Sequence, residues 1–387
     1  MILNKVKKIT VFTSIRSEYG LLKPLLDKIK SDDAFDLFLL VGGAHLKNEF
    51  GFTKKQILAD GFDIFAELDF LQNQNTSNYV SKSMGVLQMQ IGEWLVTNKP
   101  DLLIVLGDRF ELLPVVTSFL MSNIPIAHIS GGDVTEGAID NQIRNAITKM
   151  AHIHFPATEI CRRNIIKMGE ESWRICVSGE PGLDEILKIH YIPKSDLFNE
   201  LGLNEKLPVI CTTFHPETIQ NKITASFIEV LLLKIINTTN YQILVTSSNF
   251  DNGGLEINNV LKKLSSQYHS IKYFESLGQR KYYSLLKYSD IMLGNSSSGL
   301  VEAQSFNLPV INVGVRQAGR LANASTFNTI VNIDAVMNAL AYVKTEKFVT
   351  AFKDKVNIYG DGNACERILQ FIKEINTRDL LIKKSTF

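Results

Sequence analysis

Short runs of apolar residues alternate along this chain with longer stretches in which apolar residues recur every three or four positions. The short runs end in Gly, Ser or Thr and predict buried strands, whereas the longer periodic stretches predict amphipathic helices. Regular alternation of the two indicates βαβ units, in which helices cover both faces of a parallel sheet. The sequence therefore predicts an α/β fold.

The strand pattern occurs in two series. The predicted strands are ITVFTS, FDLFLLVGG, DLLIVLG, IPIAHISG, HIHFPAT and ICVSG, then PVICTTF, YQILVTSSN, IKYFES, DIMLG, PVINVG and TIVNI. Two series in 387 residues indicate two doubly wound, Rossmann-like domains, with a polar seam near residues 190–206. We expect an N-terminal domain over 1–185, a C-terminal domain over 186–362, and a last helix within 363–387 that packs back on the N-terminal domain.

Charge and cysteine content exclude several classes of partner. The chain has 41 Lys and Arg against 40 Asp and Glu, so no overall field attracts nucleic acid or a membrane surface. Four separated cysteines without a CxxC spacing indicate reduced thiols in a cytoplasmic protein. No apolar run is long enough for a membrane span or a signal peptide. His152 and His154 lack a matching set of further ligands, so we predict no metal site.

Two glycine-bordered segments of the second half, GNSSSGLVEA (294–303) and GVRQAGR (314–320), are joined through the strand PVINV. A strand that runs into Gly and three serines before a helix presents unpaired backbone N–H groups, where phosphates commonly bind. Arg316, at the end of the next strand, can bind the same diphosphate through two N–H groups. For a single serine, an ordinary helix N-cap is the alternative. The combination favours anion binding.

Acidic residues gather where two strands of the first half end. Asp108 and Arg109 follow DLLIVLG, and the next strand is followed by His128, Asp133, Glu136, Asp140 and Arg144. Ligands of parallel α/β sheets bind beyond the carboxyl ends of the strands, so we expect these side chains at one rim. Neighbouring carboxylates shift one another's pKa, which suits general acid/base catalysis. For Asp140 alone, capping of the following helix is the alternative.

Two basic residues lie at other strand ends. Arg16 follows the first strand in TSIRSEYG, where a nucleotide-binding turn is expected, and either contact with a phosphate or base or capping of the loop is compatible with it. His215 follows the first strand of the second series and precedes Pro216, which favours an extended, exposed turn. We expect His215 to face a cleft between the domains.

Taken in order, IRSEYG, GDRFE, HISGG, the AID before IRNAITKMAH, FHPET, GNSSSG, GVRQAGR and IYGDGNA resemble the hydrolysing UDP-N-acetylglucosamine 2-epimerases over nearly the whole chain. The resemblance implies a GT-B type fold, a UDP-sugar substrate, no cofactor, and a homodimer or homotetramer. It also implies the reaction. UDP leaves carbon 1 as the carbon 2 proton is removed, and water then adds to the resulting 2-acetamidoglucal to release N-acetylmannosamine.

The resemblance also carries over roles residue by residue. It places around UDP the residues Arg16, Asn249, Ser296, Ser297, Glu302 and Arg316. It matches Asp108, Asp140 and His215 to the catalytic acid, the base and the pyrophosphate-side histidine, with Arg109 and His128 lining the sugar pocket. One position departs, because Ser130 stands where the family commonly has a catalytic Glu. We expect Asp133 or Glu136 to supply that carboxylate, and the alternative is that Asp108 and Asp140 serve without it.

Three other functions share these features. GT-B glycosyltransferases also bind UDP-sugars, but they transfer the sugar to an acceptor. A UDP-sugar sensor would bind without reaction, although the excess of carboxylates disfavours it. The same chemistry on UDP-N,N'-diacetylbacillosamine is the third possibility, and the sequence does not separate the two substrates.

Overall fold

The computed structural model describes residues 6–72, 78–136, 138–217, 223–248 and 253–384. Its strands form two parallel six-stranded sheets, which confirms the predicted α/β class. The strands of the first sheet are β1 (Lys7–Thr13), β2 (Phe35–Gly42), β3 (Ala66–Leu68), β4 (Leu102–Leu106), β5 (Ile126–Ile129) and β6 (Ile153–Phe155). The strands of the second sheet are β7 (Val209–Thr213), β8 (Gln242–Thr246), β9 (Ile271–Phe274), β10 (Ile291–Gly294), β11 (Val310–Val313) and β12 (Thr326–Thr329).

Helices connect these strands. In the first half they are α1 (Arg16–Lys30), α2 (Lys54–Ala59), α3 (Tyr79–Thr97), α4 (Leu112–Met121), α5 (Asp140–Met150), α6 (Glu159–Lys167) and α7 (Gly182–Ile186). The later ones are α8 (Lys194–Leu201), α9 (Ala225–Thr238), α10 (Gly254–Gln267), α11 (Gly278–Tyr288), α12 (Ser297–Val301), α13 (Ile333–Tyr342), α14 (Glu346–Phe352) and α15 (Ala364–Glu374). Among the described residues, no helix has the length and apolar character needed to cross a membrane.

Both sheets have the same strand order. The first runs β3-β2-β1-β4-β5-β6, and the second runs β12-β11-β10-β7-β8-β9, so each follows the 3-2-1-4-5-6 order of a Rossmann fold. The order reverses between β1 and β4 in the first sheet and between β7 and β10 in the second. The crevice at such a reversal is where doubly wound sheets bind ligands. Each sheet therefore has one topological switch point at which functional side chains are expected.

The chain divides into two compact units, one on each sheet. The first comprises Met1–Asp133, Asp140–Leu187 and Tyr359–Phe387, and the second comprises Val134–Ile139 and Lys188–Ile358. Neither unit is therefore continuous in sequence. The stretch 134–139 packs with the second unit although the residues on both sides of it belong to the first.

Period-two alternation along the strands builds a core on each face of the first sheet. Ile9 and Val11 of β1 join one buried cluster, whereas Phe12 points into the other, with α3 and α4. Ile368 and Ile372 of α15 are fully buried in the same cluster as Ile9. The last helix is thus one of the layers that cover the first sheet.

Polar groups of the first unit hold α15 at both of its ends. The Asp184 carboxylate accepts hydrogen bonds from the backbone N–H groups of Ala364 and Cys365, both at 2.8 Å. At the other end, Lys7 Nζ donates to the carbonyl oxygen of Ile375 at 2.7 Å. An anion at the helix start and a cation at its end both oppose the helix dipole, which stabilises this packing.

Three segments differ from the strand pattern in the sequence. ICVSG runs beside β6 but forms only an isolated bridge between Ile175 and His154. TIVNI (329–333) is not a strand, and only its first residue belongs to the edge strand β12, which is TFNT. The short strand β3 is absent from the predictions because three residues give no readable alternation.

Candidate active site

At the switch point of the first sheet, Ser14 connects two buried carboxylates. Its backbone N–H donates to Glu18 Oε2 at 3.0 Å, and its hydroxyl donates to Glu111 Oε1 at 3.3 Å. Glu18 lies in the first turn of α1, and Glu111 directly precedes α4. Only 5% of Glu18 and 2% of Glu111 are exposed. The turns after β1 and β4 therefore meet around a pair of acids.

This acid pair has unusual protonation properties. Burial raises the pKa of Glu18 to about 7, and the nearby Glu111 charge raises it further, while hydrogen bonds and Arg109 oppose the rise. Glu18 Oε1 and Glu111 Oε2 are buried without a hydrogen-bond partner among the described residues. Neither residue was predicted from the sequence, although the motifs IRSEYG and GDRFE contain them. What distinguishes these two residues is the burial of their carboxyl groups, which cannot be read from the sequence.

Arg109 is oriented by the same pair. Its Nε and Nη2 atoms donate to Glu111 Oε1 at 3.1 and 3.0 Å. Arg16, at the start of α1, is partly buried, and burial lowers its pKa from the usual value. In the part of the chain that the structure describes, no hydrogen bond or ion pair engages the Arg16 guanidinium. Arg16 is thus a cation available to an external anion.

Asp108, at the end of β4, forms an ion pair with Arg144 of α5. Arg144 is 3% exposed and Asp108 27% exposed, so the carboxylate is the outward partner. Arg144 Nη1 also donates to the carbonyl oxygen of Asp133 at 2.9 Å. Asp140 begins α5 one turn before Arg144, on the same face of the helix. The predicted gathering of Asp108, Asp133 and Arg144 is present in the first unit.

His128, predicted to line the sugar pocket, is a fully buried side chain of β5. Burial lowers its pKa to about 3, so the imidazole is neutral. Nε2 donates to the carbonyl oxygen of Gly107 at 2.8 Å, and Nδ1 accepts from the Thr148 hydroxyl at 3.1 Å. Both ring nitrogens are used within the protein. The structure thus shows a ring that fixes the turn before Asp108, and a direct contact with sugar stays a prediction.

The two candidates for the second acid lie in different units. Asp133 is buried in the first unit, with 6% of its surface exposed. Glu136 is exposed and belongs to the second unit, where its backbone N–H donates to the carbonyl oxygen of Ala318 at 2.9 Å. The segment GVRQAGR therefore has Glu136 as a neighbour.

At the switch point of the second sheet, Asn295 organises the site. Its Oδ1 accepts from the backbone N–H of His215 at 2.7 Å, and its Nδ2 donates to the His215 carbonyl at 2.8 Å. The carbonyl oxygen of Asn295 accepts from Arg316 Nη1 at 3.2 Å and from Gln317 Nε2 at 3.1 Å. Asn295 itself is fully buried. This residue, which sequence reasoning missed, brings the predicted His215 and Arg316 together.

Burial and charge both act on this group. Burial lowers the pKa of His215 well below its usual value, and the charge of Arg316 lowers it further. Glu217 Oε1 accepts from the backbone N–H of Val315 at 2.8 Å, which holds the Arg316 segment in place. Gly314, with φ of +83°, lies against that carboxylate, so a Cβ at this position would overlap it.

The serine-rich turn begins the short helix α12. Ser296 is its N-cap and accepts from the backbone N–H of Ser298 at 3.4 Å, so the N-cap role is present for this serine. Ser297 is partly exposed. Glu302 is 8% exposed, burial raises its pKa, and its Oε2 has no hydrogen-bond partner among the described residues. Such an acceptor suits a ligand hydroxyl.

Two further points concern the predicted residue Asn249 and possible metal ligands. Asn249 lies outside the described residues. Within the described ranges there is no group of three or more His, Cys, Asp or Glu side chains arranged to hold a metal ion.

Comparison with known proteins identifies the family. The family described as UDP-N-acetylglucosamine 2-epimerase matches residues 27–373. This chain belongs to the UDP-N-acetylglucosamine 2-epimerase family. The resemblance drawn from the motifs is thereby confirmed, and the chain is an enzyme.

Three similar proteins each cover most of this chain. It is 35% identical to the GDP/UDP-N,N'-diacetylbacillosamine 2-epimerase (hydrolyzing) of Campylobacter jejuni, over 84% of this chain and 85% of the relative. It is 32% identical to the UDP-N,N'-diacetylbacillosamine 2-epimerase (hydrolyzing) of Legionella pneumophila, over 98% and 99%. The fold is similar to that of the Neisseria meningitidis UDP-GlcNAc 2-epimerase bound to UDP-GlcNAc, with a TM-score of 0.81, 18% identity, and coverage of 95% and 99%.

Proposed function

We propose that this enzyme converts UDP-N-acetylglucosamine and water to N-acetylmannosamine and UDP. The observation that carries the proposal is the group at the second switch point, where Asn295 holds His215 beside Arg316. A neutral imidazole and a guanidinium at the carboxyl end of a parallel sheet suit the diphosphate of a nucleotide sugar. Membership of the epimerase family supports the reaction.

The second unit binds the nucleotide in this proposal. Arg316 contacts the diphosphate, with the backbone N–H groups near Ser296 and Ser297 as further donors. The buried Glu302 carboxyl, with its unpartnered oxygen, accepts from a ribose hydroxyl. The family resemblance also assigns Arg16 to UDP, and its guanidinium has no hydrogen bond or ion pair within the described residues.

The first unit supplies the acid/base groups. A carboxylate, which we assign to Asp140, takes the proton of carbon 2. The electron pair of that C–H bond forms the double bond between carbons 1 and 2, and the C1–O bond breaks as UDP departs. We assign the acid of the family pattern to Asp108, which forms an ion pair with Arg144. Water then adds across the double bond to give the 2-epimer.

Charge stabilisation is as important as the base. The carbon 2 proton is weakly acidic until the C1–O bond begins to break, so groups that stabilise the departing diphosphate accelerate proton removal. Removal of one such preorganised donor typically lowers turnover by about 10²- to 10³-fold. We assign this role to His215 and Arg316.

A second substrate, UDP-N,N'-diacetylbacillosamine, is favoured by one observation. The Campylobacter and Legionella relatives, at 35% and 32% identity, are named for that sugar. Its ring has an acetamido group at carbon 4 and a methyl at carbon 6, where N-acetylglucosamine has a hydroxyl and a hydroxymethyl. The reacting carbons 1 and 2 are the same, so the chemistry proposed here applies to both.

Incubation with each UDP-sugar in deuterium oxide, followed by mass spectrometry, tests the proposal. We expect free UDP and a 2-epimer that carries one deuterium at carbon 2, because elimination and re-addition exchange that hydrogen. A product still linked to UDP, or one that retains the original hydrogen, contradicts the mechanism. UDP-sugar that stays intact until an acceptor is added identifies a glycosyltransferase, and UDP-sugar that binds without reaction identifies a sensor.

A further inference from the structure

Ser130 has an unusual backbone conformation at the end of β5. Its φ of +62° lies in the left-handed region, which few residues other than glycine adopt. Its backbone N–H donates to the carbonyl oxygen of Phe155 at 3.0 Å, so the conformation is fixed from the neighbouring strand. The side chain is therefore held in one direction, and its hydroxyl donates to Glu180 Oε2 at 2.8 Å.

Glu180 is a buried acid that the sequence motifs do not mark. It is 6% exposed, and its backbone N–H donates to the carbonyl oxygen of Tyr359 at 2.8 Å. Gly179, with φ of +87°, allows this close approach, because a Cβ there would lie 3.2 Å from the same carbonyl oxygen. Burial of a carboxyl is costly unless polar partners compensate. The backbone bond to Tyr359 fixes the position of Glu180 in the chain, and the Ser130 hydroxyl is a polar partner of its buried carboxyl.

Ser130 connects the Glu180 carboxyl to the carboxyl edge of the first sheet, beyond which Asp108 also lies. Gly107 donates its backbone N–H to the carbonyl oxygen of Ile129 at 3.1 Å. Asp108 follows Gly107, and Ser130 follows Ile129, so both residues lie just beyond the carboxyl ends of the paired strands β4 and β5. Ser130 then joins Glu180 to that edge.

Glu180 is better placed than the two carboxylates predicted from the sequence. Those were expected to replace the Glu that the family commonly has at the position of Ser130. Glu180 accepts a hydrogen bond from Ser130 itself, whereas Glu136 is exposed and packs with the second unit. Asp133 lies three residues further along, beyond Gly131 and Gly132. The carboxyl group that is hydrogen-bonded to Ser130, where the family commonly has Glu, therefore comes from a different loop.

We propose that Glu180 is a further catalytic residue, which protonates carbon 2 of the 2-acetamidoglucal in the hydration step while Ser130 holds its carboxyl in place. This rests on the function proposed above. The O–H bond of Glu180 breaks, and the electron pair of the double bond forms the new C2–H bond. A lone pair of water forms the bond to carbon 1, and the proton that the water loses returns to the Glu180 carboxylate. The proton removed in the elimination passes from Asp140 to solvent.

The test separates the two half-reactions in Glu180→Gln. We expect the variant to release UDP at close to the wild-type rate and to accumulate 2-acetamidoglucal, since hydration slows by about 10²-fold, the usual scale for a general acid. Mass spectrometry measures glycal, free epimer and UDP in the same samples. Glu185→Gln, a partly exposed acid of α7, is the matched control and should accumulate no glycal.

Ser130→Ala gives a second reading that keeps the acid in place. Loss of the hydroxyl should shift the products in the same direction, with hydration slowed by about tenfold. The assignment of Glu180 is overturned if Glu180→Gln gives the wild-type ratio of glycal to epimer. It is also overturned if UDP release and epimer formation fall equally in this variant. A wild-type enzyme that releases no UDP from either sugar overturns the proposed function, and Glu180 falls with it.

Discussion

Asn295 binds His215 by both of its backbone polar groups, with Oδ1 on the N–H at 2.7 Å and Nδ2 on the carbonyl at 2.8 Å. A primary amide is one of the few side chains that can satisfy a donor and an acceptor of one peptide segment at once. Because the carbonyl of Asn295 also binds Arg316, one buried residue fixes the two loops on which nucleotide binding is proposed to depend. We therefore assign Asn295 a positioning role.

Asn295→Ala should weaken UDP binding by about tenfold or more, because the variant leaves two backbone groups of His215 unsatisfied and frees the loop. Isothermal titration calorimetry with UDP measures the change in Kd. Asn328→Ala, at an exposed asparagine of β12, should bind UDP as the wild type does. Unchanged affinity in Asn295→Ala would show that the loop keeps its geometry without the amide.

His215→Ala and Asp140→Asn should each lower kcat by about 10² or more, the usual scale for a charge-stabilising or acid/base group. Steady-state release of UDP measures kcat, and circular dichroism checks that both variants fold. Near-normal kcat in Asp140→Asn would show that Asp140 has a structural role in the first turn of α5 and no catalytic one.

Glu18 should make the stability of the first unit depend on pH. Its folded pKa of about 7 lies above the ordinary value of 4.5. Between these values the folded state holds a proton that the unfolded chain has lost, so the free energy of unfolding falls as pH rises. A group with this shift contributes about 3 kcal/mol to that fall.

Glu18→Gln should remove this dependence, so the stability difference between variant and wild type should grow in favour of the variant from pH 5 to pH 7.5. Urea unfolding can be followed by tryptophan fluorescence, since Trp94 and Trp173 both belong to the first unit. Glu159→Gln, at an exposed acid of α6, is the control. A difference that stays constant with pH would mean that the carboxyl titrates normally in the folded state.

EDTA should leave the rate of UDP release nearly unchanged, because Arg16 and Arg316 are expected to hold the diphosphate in place of a divalent cation. The same applies to added nicotinamide nucleotides, since the proposed steps involve no hydride transfer. Loss of most activity on chelation, with recovery on addition of Mg²⁺, would contradict this assignment of the anion site.

The sequence predicts the sheets well because buried parallel strands leave unmistakable apolar runs, and their ends mark where Asp108, His215 and Arg316 emerge. Contacts across a switch point are different. Nothing in GNSSSG indicates that Asn295 would bind the His215 backbone, since that contact depends on the register of β7 and β10. Likewise, Glu18 resembles any charged residue in a first helical turn until Ser14 and Glu111 are brought beside it.

The Ser130 position also depends on contacts that the sequence does not display. Sequence proximity directed attention to Asp133 and Glu136, whereas the acid that bonds to Ser130 comes from a loop fifty residues away in sequence. A carboxyl group can be replaced from any loop that reaches the same edge of a sheet. Only the three-dimensional arrangement identifies which one does so.

The placement of α15 on the first sheet has a consequence for biosynthesis. After β6 and α7 have been synthesised, residues 188–358 must follow before α15 is made. Only then can Asp184 and Lys7 form their hydrogen bonds to the ends of this helix. At ordinary translation rates that interval lasts roughly 10 to 35 seconds. Throughout it, the apolar face around Ile9 and Leu22 lacks one of its covering layers. The first unit therefore cannot complete its core until the end of the chain has been synthesised.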